Sequence, residues 1–200
     1  QFSMVCLCFR PPLLIGLLLA ITGLAYPSRA LEVILMRHGH KDVARRDFNL
    51  SPRGFKRSLE LATMIPGCFG APSRLISYPL NPLTNKNARS YQTLVPLAAA
   101  SGVNIEMNQD AIEHSEAVGQ QLRIQLAALP ERVVIAWEHR RLPDLARGLG
   151  WSAMAPIAND DFDQLFVLRF EGASSLPLVQ HYSQSELLQQ PCFKSRPTTP

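Results

Sequence analysis

What this 200-residue sequence lacks narrows the field first. No lysine- and arginine-rich stretch with interleaved aromatics marks a nucleic-acid surface. The apolar run from Leu13 to Ala25 holds thirteen residues, short of the roughly 20 that span a bilayer. The four cysteines, Cys6, Cys8, Cys68 and Cys192, have no zinc-site spacing. Acidic residues are missing from the first 30 positions, where Arg10 and Arg29 lie. Beyond residue 30, 18 basic residues face 16 acidic ones and the net charge is only +2. The pI near 9.1 is therefore no argument for a polyanionic partner. Internal repeats and linkers are absent too, which at this length fits one domain. An apolar fraction of 46% with mean hydropathy near zero describes a folded globular chain.

The amino-terminal run is read as a secretory signal. Arg10 precedes Pro11 and Pro12, thirteen apolar residues suit a signal's hydrophobic region, and Ser28 and Ala30 are small residues at the −3 and −1 positions of a cleavage site. Cleavage after Ala30 would place the mature chain in the periplasm or outside the cell. An uncleaved membrane anchor is the alternative, disfavoured by the run's length. Cys6 and Cys8 would leave with the signal. Cys68 and Cys192 would remain, as a disulfide in an oxidising compartment or as free thiols.

Past residue 30, strand and helix signals alternate. Glu32–Met36 is a β-branched apolar run that predicts a buried first strand. Ser51-Pro52 reads as a helix N-cap followed by proline at the first helical position, with Phe55, Leu59, Ala62 and Ile65 on the expected buried face and Pro66-Gly67 as the stop. Further strands are expected at Arg74–Tyr78, Val103–Met107 and Arg132–Trp137, and a closing pair at Gln164–Phe170 and Leu176–Val179 joined near Gly172. Helices are expected over Ala88–Ala100 with a Gly102 cap, Ser115–Leu129 and Pro143–Leu149. The class is α/β: a three-layer sandwich with a mainly parallel central sheet and helices on both faces. The domain is expected over residues 31–188, with a loose tail over 189–200.

In such folds sites form beyond the carboxyl ends of the strands. Arg37-His38-Gly39-His40-Lys41 follows the first strand, Arg89 opens the helix after the second, and Glu138-His139-Arg140-Arg141 follows the Arg132 strand. Guanidinium forks match phosphate oxygens, so the chemistry points to phosphate. Ile34–Gly39 resembles the Arg-His-Gly signature of the histidine phosphatase superfamily, the phosphoglycerate-mutase-like enzymes. Asn49–Gly54 with Arg57, Ala88–Thr93 with its Arg-x-x-Gln-Thr pattern, and Val133–His139 resemble three further segments of that family, in the right order.

The resemblance implies that His38 takes the phosphoryl group as a phosphohistidine, with Arg37, Arg89 and His139 binding its oxygens, and Gly39 and Lys41 contributing to the substrate site. No cofactor or metal is implied. Family likeness assigns the proton donor to Glu113, with Glu138 and Glu116 as competitors. The function expected is a phosphomonoesterase acting on a small organic phosphate, with no nucleic-acid partner and membrane contact only through an uncleaved signal. The alternatives are a non-catalytic phosphate-binding module of the same fold, a phosphomutase, and an envelope-associated structural protein. Trp137 and Trp151 are expected in packing, and His114 and His181 at the surface. Cys68 has no neighbour in sequence that would make it a nucleophile.

Overall fold

Leu31–Arg37 forms strand β1, buried on both faces, and this explains an apolar run without alternation. The computed structural model describes residues 31–45, 47–126, 132–171 and 175–194. β1 pairs in parallel with β4 (Arg132–Trp137) and antiparallel with β5 (Gln164–Phe170). Beyond β4 lie β2 (Arg74–Ser77) and then β3 (Ile105–Met107), both parallel, and beyond β5 lies antiparallel β6 (Leu178–Ser183). The order is β3-β2-β4-β1-β5-β6, a mostly parallel mixed sheet closed by a hairpin, as the alternating signals predict.

The sheet's alternation sorts its core into two layers. Ile34, Met36, Val134 and Ala136 pack beneath α1 (Pro52–Cys68) and α2 (Ala88–Ser101). Val33, Leu35, Ile135 and Trp137 pack beneath α3 (Ser115–Leu126) and α4 (Leu142–Gly148). Trp137 is fully buried and its indole N–H donates to Ser115 Oγ. Trp151 packs half-buried against the same layer. Among the described residues no helix is long and apolar enough to cross a membrane.

The first helix differs from its sequence reading. Ser51 caps it, accepting from Gly54 N, as expected. Phe55 and Leu59, however, are 55% and 48% exposed, and the buried face is instead Gly54, Arg57, Ser58, Leu61, Met64 and Ile65. The amino-terminal half of α1 packs on a polar loop rather than on the apolar core, so a hydrophobicity count picks the wrong stripe. The helix also runs through Pro66 to Cys68, because a proline in the last turn removes only one internal bond, and Phe69 N and Gly70 N still close on Ile65 O and Pro66 O. α2 ends as predicted, with Gly102 in the left-handed region at φ 71°.

After β6 come two short helices, α5 (Gln184–Leu187) and α6 (Pro191–Lys194). A loose tail is expected from Gln189, yet part of it is helical and Cys192 is joined to Cys68 by a disulfide. The signal segment, Arg46, Leu129, the turn at Gly172 and the chain from 195 onwards lie outside the described residues.

Candidate active site

β1 and β4 run side by side with Arg37 paired to Trp137, so the residues that follow them emerge together at the sheet's carboxyl edge. His38 N bonds Trp137 O at 3.2 Å, and the His38 and His139 rings meet edge to face with centroids 6.3 Å apart. Arg89 arrives from the first turn of α2. Arg37, His38, Arg89, Glu138, His139 and Asn159 line one cavity of about 210 Å³, with Lys41, Phe48, Lys86 and Arg140 around it.

His38 is held in one state. Its Nδ1 lies 2.8 Å from Gly39 O. A carbonyl only accepts, so Nδ1 carries the proton and Nε2 keeps its lone pair. Burial pushes the imidazole's pKa from 6.5 down to about 3; the Gly39 bond opposes this, and the Arg37 and Arg89 cations add to it. The ring is neutral and nucleophilic at any ordinary pH.

The two arginines are each anchored at one nitrogen. Arg37 Nη1 donates to the carbonyls of Ala158, Asn159 and Asp161 at 2.9, 3.1 and 2.6 Å, and the guanidinium lies 3.8 Å over the Phe162 ring. Arg89 Nη1 reaches Asp47 O at 3.3 Å. In both residues Nε is buried without a partner. Burial lowers the Arg37 pKa to about 10, which still leaves it charged, and acts on Arg89 in the same direction. Buried, charged donors without acceptors are costly unless an anion completes them.

His139 is fixed by Asn159, whose Oδ1 lies 2.8 Å from Nε2. Glu138 Oε1 stands 3.1 Å from Nδ1, outside hydrogen-bond alignment, and the same carboxylate takes the Arg140 backbone and Nε donors. Burial lowers the His139 pKa and the Asn159 bond opposes it.

A second set of contacts locks the loop that carries His38. Thr93 Oγ1 accepts from Gly39 N at 2.8 Å and donates to Arg89 O at 2.7 Å. Gln92 accepts from Leu50 N and donates to Asn49 Oδ1. The Arg-x-x-Gln-Thr pattern therefore supplies one cation in the cavity wall and two struts. Gly54 is required by closeness: a Cβ there would run into the backbone of His40. Arg57, 4% exposed, bonds Arg37 O at 3.1 Å through Nη1 and Gln184 Oε1 at 2.7 Å through Nε.

Of the residues singled out in the sequence, His38, Arg37, Arg89, His139 and Lys41 share the cavity wall, and Gly39 sits behind them on Thr93. Glu113 does not join them. It is exposed at the end of the 3-10 turn Gln109–Ile112, whereas Glu138 is buried in the wall. Asn159 and Phe162 were not legible, because they lie in a segment without periodicity. Among the described residues no cluster of three metal-ligating side chains occurs.

No family model matches the sequence, and no curated protein matches it. Solved structures do share its fold. The chain is similar to the protein histidine phosphatase SixA complexed with tungstate, at 16% identity and a TM-score of 0.58 over 78% of this chain and 99% of that one. The SixA protein of Nakamurella multipartitia is 20% identical, with a TM-score of 0.51 over 78% of this chain and 98% of that one. The SixA protein of Agrobacterium tumefaciens is 17% identical, with a TM-score of 0.51 over 76% and 97%. The chain has the histidine phosphatase fold.

Proposed function

We propose that this protein is a histidine phosphatase that hydrolyses small phosphomonoesters through a phosphohistidine at His38. The observation that carries the reading is the fixed tautomer of His38, with Nδ1 spent on Gly39 O, beside buried Arg37 and half-buried Arg89, whose Nε donors are both buried and unpartnered. In the first step Nε2 attacks phosphorus, and the bond from phosphorus to the ester oxygen breaks. That oxygen keeps the electron pair and takes a proton from Glu138. In the second step water attacks the phosphohistidine, gives its proton back to Glu138 and releases inorganic phosphate with neutral His38. Arg37 and Arg89 hold the non-bridging oxygens, and His139 joins them by turning its Nε2–H from Asn159 Oδ1 to the anion; losing one such donor typically costs roughly 100- to 1,000-fold in rate.

SixA is named a protein histidine phosphatase and its structure holds tungstate, an oxyanion. That likeness supports the reading and adds a phosphoramidate to the substrates worth trying. The Cys68–Cys192 disulfide supports placing the protein in an oxidising compartment, in keeping with export.

Hydrolysis of p-nitrophenyl phosphate by the wild type and by His38→Ala tests the function. The wild type should turn over, the variant should not, and a base-stable, acid-labile phosphoenzyme should be trapped only with His38 present. His38 itself should cause no loss of rate until pH falls to about 3. Equal rates in the two proteins would refute the assignment.

A further inference from the structure

A second cavity, about 460 Å³, opens on the other side of the Arg37–Phe162 contact. Arg57 forms part of its wall. This guanidinium is 4% exposed and spends Nη1 and Nε on Arg37 O and Gln184, but its Nη2 is buried with no partner. His40 lines the same cavity, its ring stacked on Phe162 at 4.1 Å and its Nδ1 also buried without a partner. Arg53 adds a third donor, one turn before Arg57 on α1, with no ion pair among the described residues. Neither His40 nor Arg57 is used as a ligand group in the reaction proposed above.

The cavity has carboxylates too, and their state decides which ligand fits. Glu60 pairs with Lys56 at 3.8 Å. Asp163 accepts from Ser183 and from Ser185 through both its hydroxyl and its amide. Asp161 accepts from Asp163 N and Gln164 Nε2. Only Asp160, exposed at the rim, has no partner among the described residues. The acceptors are thus occupied while the donors are not. The field at His40 agrees: burial first, then Arg53, Arg57 and Arg37, push its pKa down to about 4, against Asp163 alone. The surroundings of that ring repel positive charge.

We infer that this cavity is a second oxyanion site, in which a free tetrahedral anion such as inorganic phosphate binds Arg57 Nη2, Arg53 and His40. It is separate from the catalytic cavity: no residue lines both, and the stacked pair of Arg37, from the first wall, and Phe162, from the second, stands between them. Arg57 touches the Arg37 carbonyl, so an anion here would sit one hydrogen bond away from the strand end that carries the nucleophile.

Inorganic phosphate titrated into the protein, followed by backbone amide NMR, tests the inference. Two saturable isotherms are expected, one at Gln184 and Ser185 and one at Gly39 and Arg89. Arg53 is exposed, so Arg53→Glu should fold normally. It should weaken the first isotherm about tenfold or more and leave the second alone. Arg89→Ala should do the reverse. A single isotherm shared by all four amides, or no saturable shift at Gln184 and Ser185, or a first isotherm indifferent to Arg53→Glu, would overturn the second site. Loss of the Gly39 isotherm alone would count against the catalytic reading while leaving this site standing.

Discussion

A carboxyl that protonates a leaving oxygen must reach it, and the two candidates here differ in reach. Glu138 is 8% exposed in the cavity wall beside His139, whereas Glu113 is exposed outside that wall. Glu138→Gln should therefore depress hydrolysis of alkyl phosphates by roughly 100-fold or more, the usual scale of general acid catalysis. p-Nitrophenyl phosphate, whose leaving group needs little help, should lose far less. Glu113→Gln should match the wild type on both. Rates on the two substrate types decide the matter, and a Glu113→Gln defect on the alkyl ester would reverse the assignment. The same logic separates ester from phosphoramidate turnover, since an imidazole departs more readily than an alkoxide.

At the level of elements, α2 presents a cation and braces the loop of His38 together. Thr93→Val deletes an acceptor for Gly39 N and a donor to Arg89 O while keeping the side chain's shape. A buried amide left without a partner costs about 1–3 kcal/mol. Urea denaturation should register that loss, and turnover should fall about tenfold or more as His38 loses its fixed position. Full activity in a stable Thr93→Val protein would mean the strut is dispensable. The local parts of this arrangement were legible: apolar runs flagged β1, β2 and β4, a cap and proline opened α1, and Gly102 closed α2. Arg57 was visible only as part of a motif, with no sign that it would be buried. Its burial inverts the expected face of α1, because Gly54 and Arg57 meet the His40 backbone and the Arg37 carbonyl where an apolar stripe would ordinarily meet a core. Asn159 meets His139 across 20 residues and Arg37 across 122, Phe162 lies under the same Arg37, and nothing in their neighbours' periodicity announces this. Family likeness points to Glu113, whereas reach is a property of the folded cavity alone.

For the whole molecule, the disulfide ties the end of α1 to α6 across 124 residues of chain. Closing so long a loop should contribute about 2–5 kcal/mol. Thermal denaturation of Cys68→Ser/Cys192→Ser, alongside the wild type with and without reductant, should show a lowered midpoint for the variant and a similar fall in the reduced wild type. Coincident melting curves would show that the bond adds nothing. The strand order carries another consequence, for how the chain comes off the ribosome. β1 is the first described segment to be made, yet its neighbours are β4 and β5, and Glu32 in its first turn of sheet waits for Arg132 and Arg169, 100 and 137 residues later. Until β4 is made the strand that delivers His38 is a water-averse ribbon with two bare edges, and until β5 follows one edge stays bare. Such a topology folds slowly and leaves nascent chains open to aggregation, so a holdase that shields the bare strand during synthesis should raise the yield of folded protein.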